Sequence, residues 1–293
     1  MPVPRALVIG GSGQIGRYLV PQLLDSGHDV LAVSRIPRSS RHAGLHWLQG
    51  DVFVALPALP ELHMIFSLGP LDGFAAWLAR ARLEGKPRIV AFGSMSASSK
   101  RDSPDPGERA LAQSLRQAEQ ALADAAARAD LPWTLLRPTL IYGAGLDRSL
   151  TPLARRAARW HVFPLLPAAR GLRQPVHAED LATLCRAAIN RDAAVGRSFD
   201  LGGGERLAFA TMLERIRQSL PGWTLPVPVP LAALHLALRL AGGSGIRHGL
   251  GPGMLARLGT DLLADDGPAR QHLDWSPRPF HPRAATWVPP PLI

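Results

Sequence analysis

Gly10-Gly11-Ser12-Gly13-Gln14-Ile15-Gly16 is the stretch on which the reading of this chain turns. The apolar run Ala6–Ile9 leads into it. Ile15, Leu19, Leu23 and Leu24 then recur at helical spacing until Gly27. A strand, a glycine turn and a helix therefore follow one another without a gap. Such a turn needs residues tolerant of unusual φ and ψ, and a side chain there would keep a pyrophosphate away from the backbone. The free amides at the helix start, with the helix dipole, favour an anion, and a glycine at position 16 lets helix and strand pack closely. The pattern predicts dinucleotide binding by Gly10, Gly13, Gln14, Ile15 and Gly16. An incidental glycine-rich turn is the plainer alternative.

The second strand, Asp29–Ser34, ends without the Asp or Glu that usually accepts the ribose hydroxyls of NAD. Ser34-Arg35 stands there, with Arg38 and Arg41 following. A carboxylate would repel a 2′-phosphate, whereas serine and arginine hold one through charge-assisted hydrogen bonds. NADP is therefore expected, with NAD as the alternative; a solvated arginine loop would carry no such preference. Asp51, after the third strand, reads as an adenine contact or as a simple loop acid.

Farther along, strands are expected at Leu45–Leu48, His63–Ser67, Arg88–Phe92, Trp133–Arg137 and Arg197–Leu201. Helices are expected at Phe74–Leu83 and Glu108–Ala129, the latter with Leu111, Leu115, Ala118 and Leu122 on one stripe. Strands alternating with helices predict an α/β doubly wound parallel sheet of the Rossmann type. Past Tyr142 the alternation weakens, with helices at Thr151–Trp160, Ala178–Asn190, Leu207–Leu220, Leu231–Leu240 and Met254–Leu258. The expected division is a dinucleotide-binding domain over 1–143, completed by 176–203. A smaller substrate domain takes 144–175 and 204–293.

Composition narrows the function. The 293 residues hold 33 Lys+Arg against 23 Asp+Glu, a net charge of +10, and a single cysteine. One cysteine excludes a disulfide scaffold and a CxxC zinc site, and Cys185, in an apolar helical pattern, reads as a buried inert thiol. His42 and His46 share i,i+4 spacing but lack acidic or thiol partners, so no metal site is expected. The longest apolar stretch, Leu225–Leu240, is broken by prolines, His235 and Arg239 and falls short of the ~20 residues of a membrane span. With no charged leader in view, the expectation is a soluble cytoplasmic protein. The excess positive charge admits nucleic acid, anionic lipid or small anionic ligands as partners.

Four segments together resemble the extended and atypical short-chain dehydrogenase/reductase superfamily. GGSGQIG at Gly10–Gly16 is similar to its fingerprint, LLRPTLIYGAG at Leu135–Gly145 to its strand-six segment, QPVHAEDLA at Gln174–Ala182 to its V-x-V-x-D-L-A segment, and FDLGGGE at Phe199–Glu205 to its late strand and turn. They occur in the family's order over roughly the first 210 residues. The resemblance implies a Rossmann domain with a small, variable substrate domain. It also implies a Tyr-x-x-x-Lys pair on the helix after strand five, and that pair is missing. Aligning Ala118-Glu119-Gln120 with the family's landmark places Leu111 and Leu115 at those positions. Independently, the only tyrosines, Tyr18 and Tyr142, are followed four residues later by Gln22 and Leu146. A leucine neither donates a proton nor stabilises an oxyanion.

The remaining catalytic candidates are Ser94 and Ser96, where the family places a substrate-orienting hydroxyl, and His177, able to move protons near neutral pH. Each also has a structural reading: a polar strand end for the serines, a domain-joining histidine for His177. Lys100 lies in a surface loop within reach of the same region. Arg148–Arg173 contains six arginines and no acid. Because arginines grip diphosphates bidentately, Arg155 and Arg173 are the expected contacts of an anionic substrate, with a solvated or membrane-facing basic surface as the alternative. Arg137, before Pro138 at a strand end, is a third substrate-side candidate, with a backbone or domain contact as its preferred reading.

Three functions compete. The first is an NADP-dependent oxidoreductase or epimerase with an atypical site, acting on an anionic, nucleotide-sugar-like substrate. The second is a non-catalytic redox sensor or an accessory subunit of respiratory complex I, to which Gln174-Pro175-Val176 bears a particular likeness. The third is nucleic-acid or membrane-surface binding. No helix-turn-helix, zinc or aromatic-stacking motif supports nucleic acid, and a substrate-domain helix explains Leu231–Leu240 better than a membrane contact.

Overall fold

The computed structural model describes residues 3–230, 232 and 257–293. In chain order the first half runs β1 (Arg5–Ile9), α1 (Gly16–Asp25), β2 (Asp29–Ser34), β3 (Leu45–Gln49), β4 (Met64–Ser67), α2 (Leu71–Leu78), β5 (Arg88–Phe92), α3 (Ser96–Ser99), α4 (Pro106–Arg128) and β6 (Trp133–Pro138). There follow β7 (Ile141–Tyr142), α5 (Leu150–Trp160), β8 (Val162–Leu165), β9 (Leu172–Arg173), β10 (Val176–His177), α6 (Ala178–Ala188), β11 (Arg197–Leu201), β12 (Leu207–Ala208), α7 (Phe209–Gln218), β13 (Leu225–Pro228) and α8 (Gly267–Leu273). The expected helix Leu231–Leu240 and most of Met254–Leu258 lie outside the described residues.

Seven strands form one parallel sheet in the order β11-β6-β5-β4-β1-β2-β3. The order reverses between β1 and β4, and ligands of such sheets bind outside the carboxyl ends at that switch. One face is covered by α1, α6 and α8, burying Leu19, Leu23, Leu181 and Leu273 on Val8, Phe66 and Phe199. The other carries α2 and α4, with Phe74 and Leu122 packed against Ile65 and Ile89. Near-continuous apolar strands are what burial on both faces requires. A smaller C-terminal region packs Tyr142, Phe163, Met212, Phe280 and Trp287 into a separate cluster.

Two expected helices shift for local reasons. α2 starts at Leu71, behind Pro70 in extended conformation, and stops at Leu78, earlier than the apolar pattern suggested. α4 starts at Pro106 because the Asp105 carboxylate accepts the amides of Gly107 and Glu108 at 2.8 and 3.2 Å, a helix-capping arrangement with proline at the first position. At about 1.5 Å per residue, its 23 residues outrun the six-residue strand β6, which rises about 3.3 Å per residue. The N-terminal turns of α4 therefore project past the sheet, and the expected stripe is buried only at Ala118 and Leu122, while Leu111 is 44% exposed.

The glycine turn is fixed by contact distances. Gly10 has φ +87°, and a Cβ on Gly16 would meet the carbonyl oxygens of Gly10 and Gly11 at 2.4 Å. Backbone cannot yield as a side chain does, so Gly16→Ala is expected to cost about 1–3 kcal/mol. It should lower the thermal midpoint by several degrees, at roughly 2–4 °C per kcal/mol for a chain of this order of size, and weaken dinucleotide binding; a calorimetric scan with and without cofactor checks both.

Candidate functional site

The turn after β1 offers what a dinucleotide needs. Gly13 N–H closes it on Gly10 at 2.9 Å, while the amides of Gln14 and Ile15 give no hydrogen bond to any backbone carbonyl among the described residues. Gln14 Oε1 and, at the end of β4 across the switch, Ser67 Oγ are buried without a hydrogen-bond partner. Open amides, two orphaned polar atoms and a glycine cradle that a Cβ would fill fit a pyrophosphate at this edge.

At the end of β2, buried Ser34 accepts the Arg38 Nε–H at 3.1 Å and donates to the Ile36 carbonyl at 2.8 Å. The Arg38 guanidinium lies 5.5 Å from the centre of the Trp47 ring, a cation–π contact that fixes its direction. Arg35 and Arg41 are exposed. Asp51 turns inward on its own loop, accepting the Phe53 amide at 2.9 Å. Thus Ser34 and Arg38 are brought together; Arg35 and Arg41 flank them.

Beyond β5, the Ser94 hydroxyl accepts the Ser96 amide at 3.1 Å and starts α3. Both serines stand at the carboxyl edge of the sheet. Lys100 is tied down: its ammonium lies 3.2 Å from Glu108 Oε1. Glu108 also accepts from Arg257 and, at 2.7 Å, from Ser103. Burial works to raise the Glu108 carboxyl, but the bonds from Arg257 and Ser103 and the charges of Arg257 and Lys100 outweigh it and hold it below its ordinary value.

The arginines expected on the substrate side are committed elsewhere. Arg137 makes a bidentate pair with Glu119, 9% exposed, at 2.7–3.1 Å and reaches Asp200 at 3.5 Å. It joins α4, β6 and β11. Burial opposes its charge, yet the Glu119 bonds raise it above its ordinary value. Arg155 donates to the carbonyls of Gly145 and Trp287 at 2.9 Å. Arg173, 7% exposed, gives its terminal nitrogens to the carbonyls of Leu172, Thr260 and Arg257 at 2.6–2.8 Å and stacks on Phe209. Arg155 and Arg173 thus hold main chain in place, and Arg137 ties two carboxylates together.

Ser94 and Ser96 do not line the cavity that His177 does. His177 shares that cavity, of about 400 Å³, with Tyr18, Tyr142, Glu179, Arg278 and His281. Its Nδ1 accepts the Glu179 amide at 3.2 Å, capping α6, so the ring proton must be on Nε2. Burial first, and then Arg278, lower its pKa to about 4. Tyr18 donates to the Gly143 carbonyl at 2.7 Å, and burial raises the pKa of Tyr142 far above its ordinary value. Gly143 is required beside the histidine, since a Cβ there would meet His177 Nε2 at 2.2 Å. Cys185 is fully buried, with its thiol raised by burial. Among the described residues no cluster could hold a metal ion, and no helix is long and apolar enough to cross a membrane.

Sequence reasoning missed Arg17, Tyr18, Trp47 and Arg278. Each depends on a neighbour distant in sequence: Trp47 approaches the turn through the β2–β3 pairing, and Arg278 reaches Glu179 and Asp180 at 2.9 and 2.7 Å.

Residues 10–145 match the NAD(P)H-binding family model. The chain is 26% identical over 272 residues to the NADH dehydrogenase [ubiquinone] 1 alpha subcomplex subunit 9 of Arabidopsis thaliana mitochondria, a match covering 80% of this chain and 63% of that protein. It is 25% identical over 161 residues to a Vibrio cholerae UDP-glucose 4-epimerase, covering 55% and 47%. The chain thus spans less than two thirds of either relative. The UDP-glucuronic acid 4-epimerase of Bacillus cereus, solved with NAD, superposes with a TM-score of 0.69 at 13% identity over 97% of this chain and 95% of that one.

The half-buried cap gives a pH dependence. Unfolded, the His177 imidazole takes a proton near its ordinary 6.5; folded, only near 4. Its contribution to stability is complete above about pH 6.5 and is lost as pH falls toward 4. His177→Asn keeps a capping side chain and should flatten the fall of the thermal midpoint across that window; an unchanged slope would contradict the assignment.

Proposed function

We propose that the chain, whose residues 10–145 match the NAD(P)H-binding family model and which resembles an epimerase of the extended short-chain dehydrogenase/reductase type, is an NADP(H)-binding protein that holds its cofactor without turning over a nucleotide sugar. One observation carries the reading: Leu111 stands 44% exposed on the projecting turns of α4, where the family's proton donor is expected. A leucine there offers an apolar wall and no proton. The supporting observations are of the same kind. Lys100 is paired with Glu108, Arg137 with Glu119, and His177 is a neutral helix cap facing another cavity. The likeness to a complex I subunit over 80% of the chain favours an accessory or redox-reporting role over epimerisation.

In this reading Gly10, Gly13 and Gly16 admit the pyrophosphate, and the Gln14 and Ile15 amides bind it. Ser34 and Arg38, with Arg35 beside them, hold the adenosine 2′-phosphate. Bound NADPH supplies a hydride donor. The preference for NADP rests on the Ser34–Arg38 arrangement at a strand end that carries no acid.

A second reading, a reductase or epimerase acting on an anionic nucleotide-sugar-like substrate, is favoured by Ser94 and Ser96 at the end of β5, where a carbonyl could be oriented. Purified protein separates the two. NADPH should raise the thermal midpoint, while UDP-glucose, UDP-glucuronate and quinones neither shift it further nor oxidise the cofactor. Steady NADPH oxidation with any of them would establish the second reading instead.

The cofactor preference is tested separately. Arg38→Ala should weaken NADPH about 10- to 100-fold, the worth of a charged hydrogen bond. NADH affinity should stay within about twofold, since NADH carries no 2′-phosphate. Equal losses for both cofactors would remove the 2′-phosphate assignment.

A further inference from the structure

Arg17 directly follows the last glycine of the turn, and nothing above gives it a role. Its Nε donates to the Ser12 carbonyl at 3.2 Å, drawing the guanidinium back over the turn. Its Nη1 donates to the carbonyl of Pro290. Arg38 stands on the same side of the turn: its guanidinium lies over Trp47, whose ring comes close enough to the turn that a Cβ on Gly11 would lie 3.6 Å from it. Burial first, and then the Arg38 charge, lower the Arg17 pKa, and among the described residues neither arginine pairs with an acid. Two guanidiniums held together without a carboxylate repel each other, and an anion relieves that repulsion.

The contact at Pro290 comes from a strap. Trp287 anchors it: the indole N–H donates to Ser219 Oγ at 2.8 Å, and the backbone passes Gly145 so closely that a Cβ there would lie 2.7 Å from the Trp287 carbonyl carbon. Pro289, Pro290 and Pro291 follow, a run with extended preferences. Leu292 and Ile293 then line a cavity of about 580 Å³ with Arg38, Arg41, His42 and Trp47. The strap therefore crosses from the smaller region to the end of β2 and touches Arg17 on the way.

We propose that Arg17 is the second cation of the 2′-phosphate subsite and that the Pro290 carbonyl holds its place until a 2′-phosphate displaces it. The strap and the phosphate compete for one guanidinium, and the inference rests on the NADP reading above. A phosphate dianion is a stronger acceptor for arginine than a neutral carbonyl, so the exchange runs toward the ligand. NADH, with a free 2′-hydroxyl, has nothing to exchange. Arg17 then determines specificity, and residues 288–293 set how much affinity the exchange consumes.

Binding of NADPH and NADH, followed by cofactor fluorescence, tests this in four proteins: the full chain, Arg17→Ala, a chain lacking residues 289–293, and the two changes combined. Arg17→Ala should weaken NADPH about tenfold or more and leave NADH within about twofold. Removing 289–293 should tighten NADPH about threefold, leave NADH unchanged, and have no effect in the Arg17→Ala background. A combined Leu292→Ser, Ile293→Ser variant unseats the strap without shortening it and should reproduce the tightening if the shortened chain folds poorly. Equal losses for NADPH and NADH in Arg17→Ala would place Arg17 on the pyrophosphate and overturn the proposal. A deletion effect that persists without Arg17 would overturn the competition. If Arg38→Ala alters the cofactor ratio and Arg17→Ala does not, this inference alone falls; if neither alters it, the NADP reading falls with it.

Discussion

A missing Cβ at Gly16 is the constraint on which the rest depends. The first turn of α1 lies against the carbonyls of Gly10 and Gly11 at a distance that no other residue permits. That approach carries the helix start, with its open amides and positive dipole end, to the switch point between β1 and β4. It also sets what comes next along the helix. Arg17 folds back onto the Ser12 carbonyl and reaches the Pro290 carbonyl, and Tyr18 reaches the Gly143 carbonyl. One close contact thus positions the anion site and both of its flanks.

The excess positive charge of the chain divides by what surrounds each arginine. Arg137, Arg155, Arg173 and Arg278 are spent inside the molecule, on Glu119, on main-chain carbonyls or on the first turn of α6. Five donors on a planar fork suit arginine to tying loops together, so an arginine-rich segment without acids need not be a ligand site. Six arginines in Arg148–Arg173 point by composition to an anionic substrate, but Arg155, on the surface, and Arg173, buried, both tie main-chain carbonyls. Arg17 and Arg38 differ because their acceptors are neutral, a carbonyl for the one and a serine hydroxyl for the other, with no carboxylate on either among the described residues.

Legibility in the sequence followed the range of the deciding interaction. The strands Asp29–Ser34 and Arg88–Phe92 stand in the structure as their apolar runs predict, because burial on both faces demands continuous apolar residues, while Arg197–Leu201, at the sheet edge, buries only Phe199 and Leu201. Leu111 and Leu115 fit the helical period yet escape the core, because α4 is longer than the strands it covers and the period says nothing of where a neighbouring layer ends. His177 was readable as a titratable group but not as a cap, since its role depends on the local φ and ψ at the start of α6.

By itself the sequence determined the parallel sheet, the glycine turn, the absence of an acid after β2 and the absence of a Tyr-x-x-x-Lys pair. All four are carried by residue types at fixed short spacing, where local sterics and periodicity are sufficient. Only the tertiary structure decided which arginines are occupied, that His177 lines a cavity the β5 serines do not, and that the 287–293 segment reaches Arg17. Those facts join residues up to 273 positions apart, and no spacing rule spans such a distance; they follow from how packed layers bring distant side chains within hydrogen-bond reach.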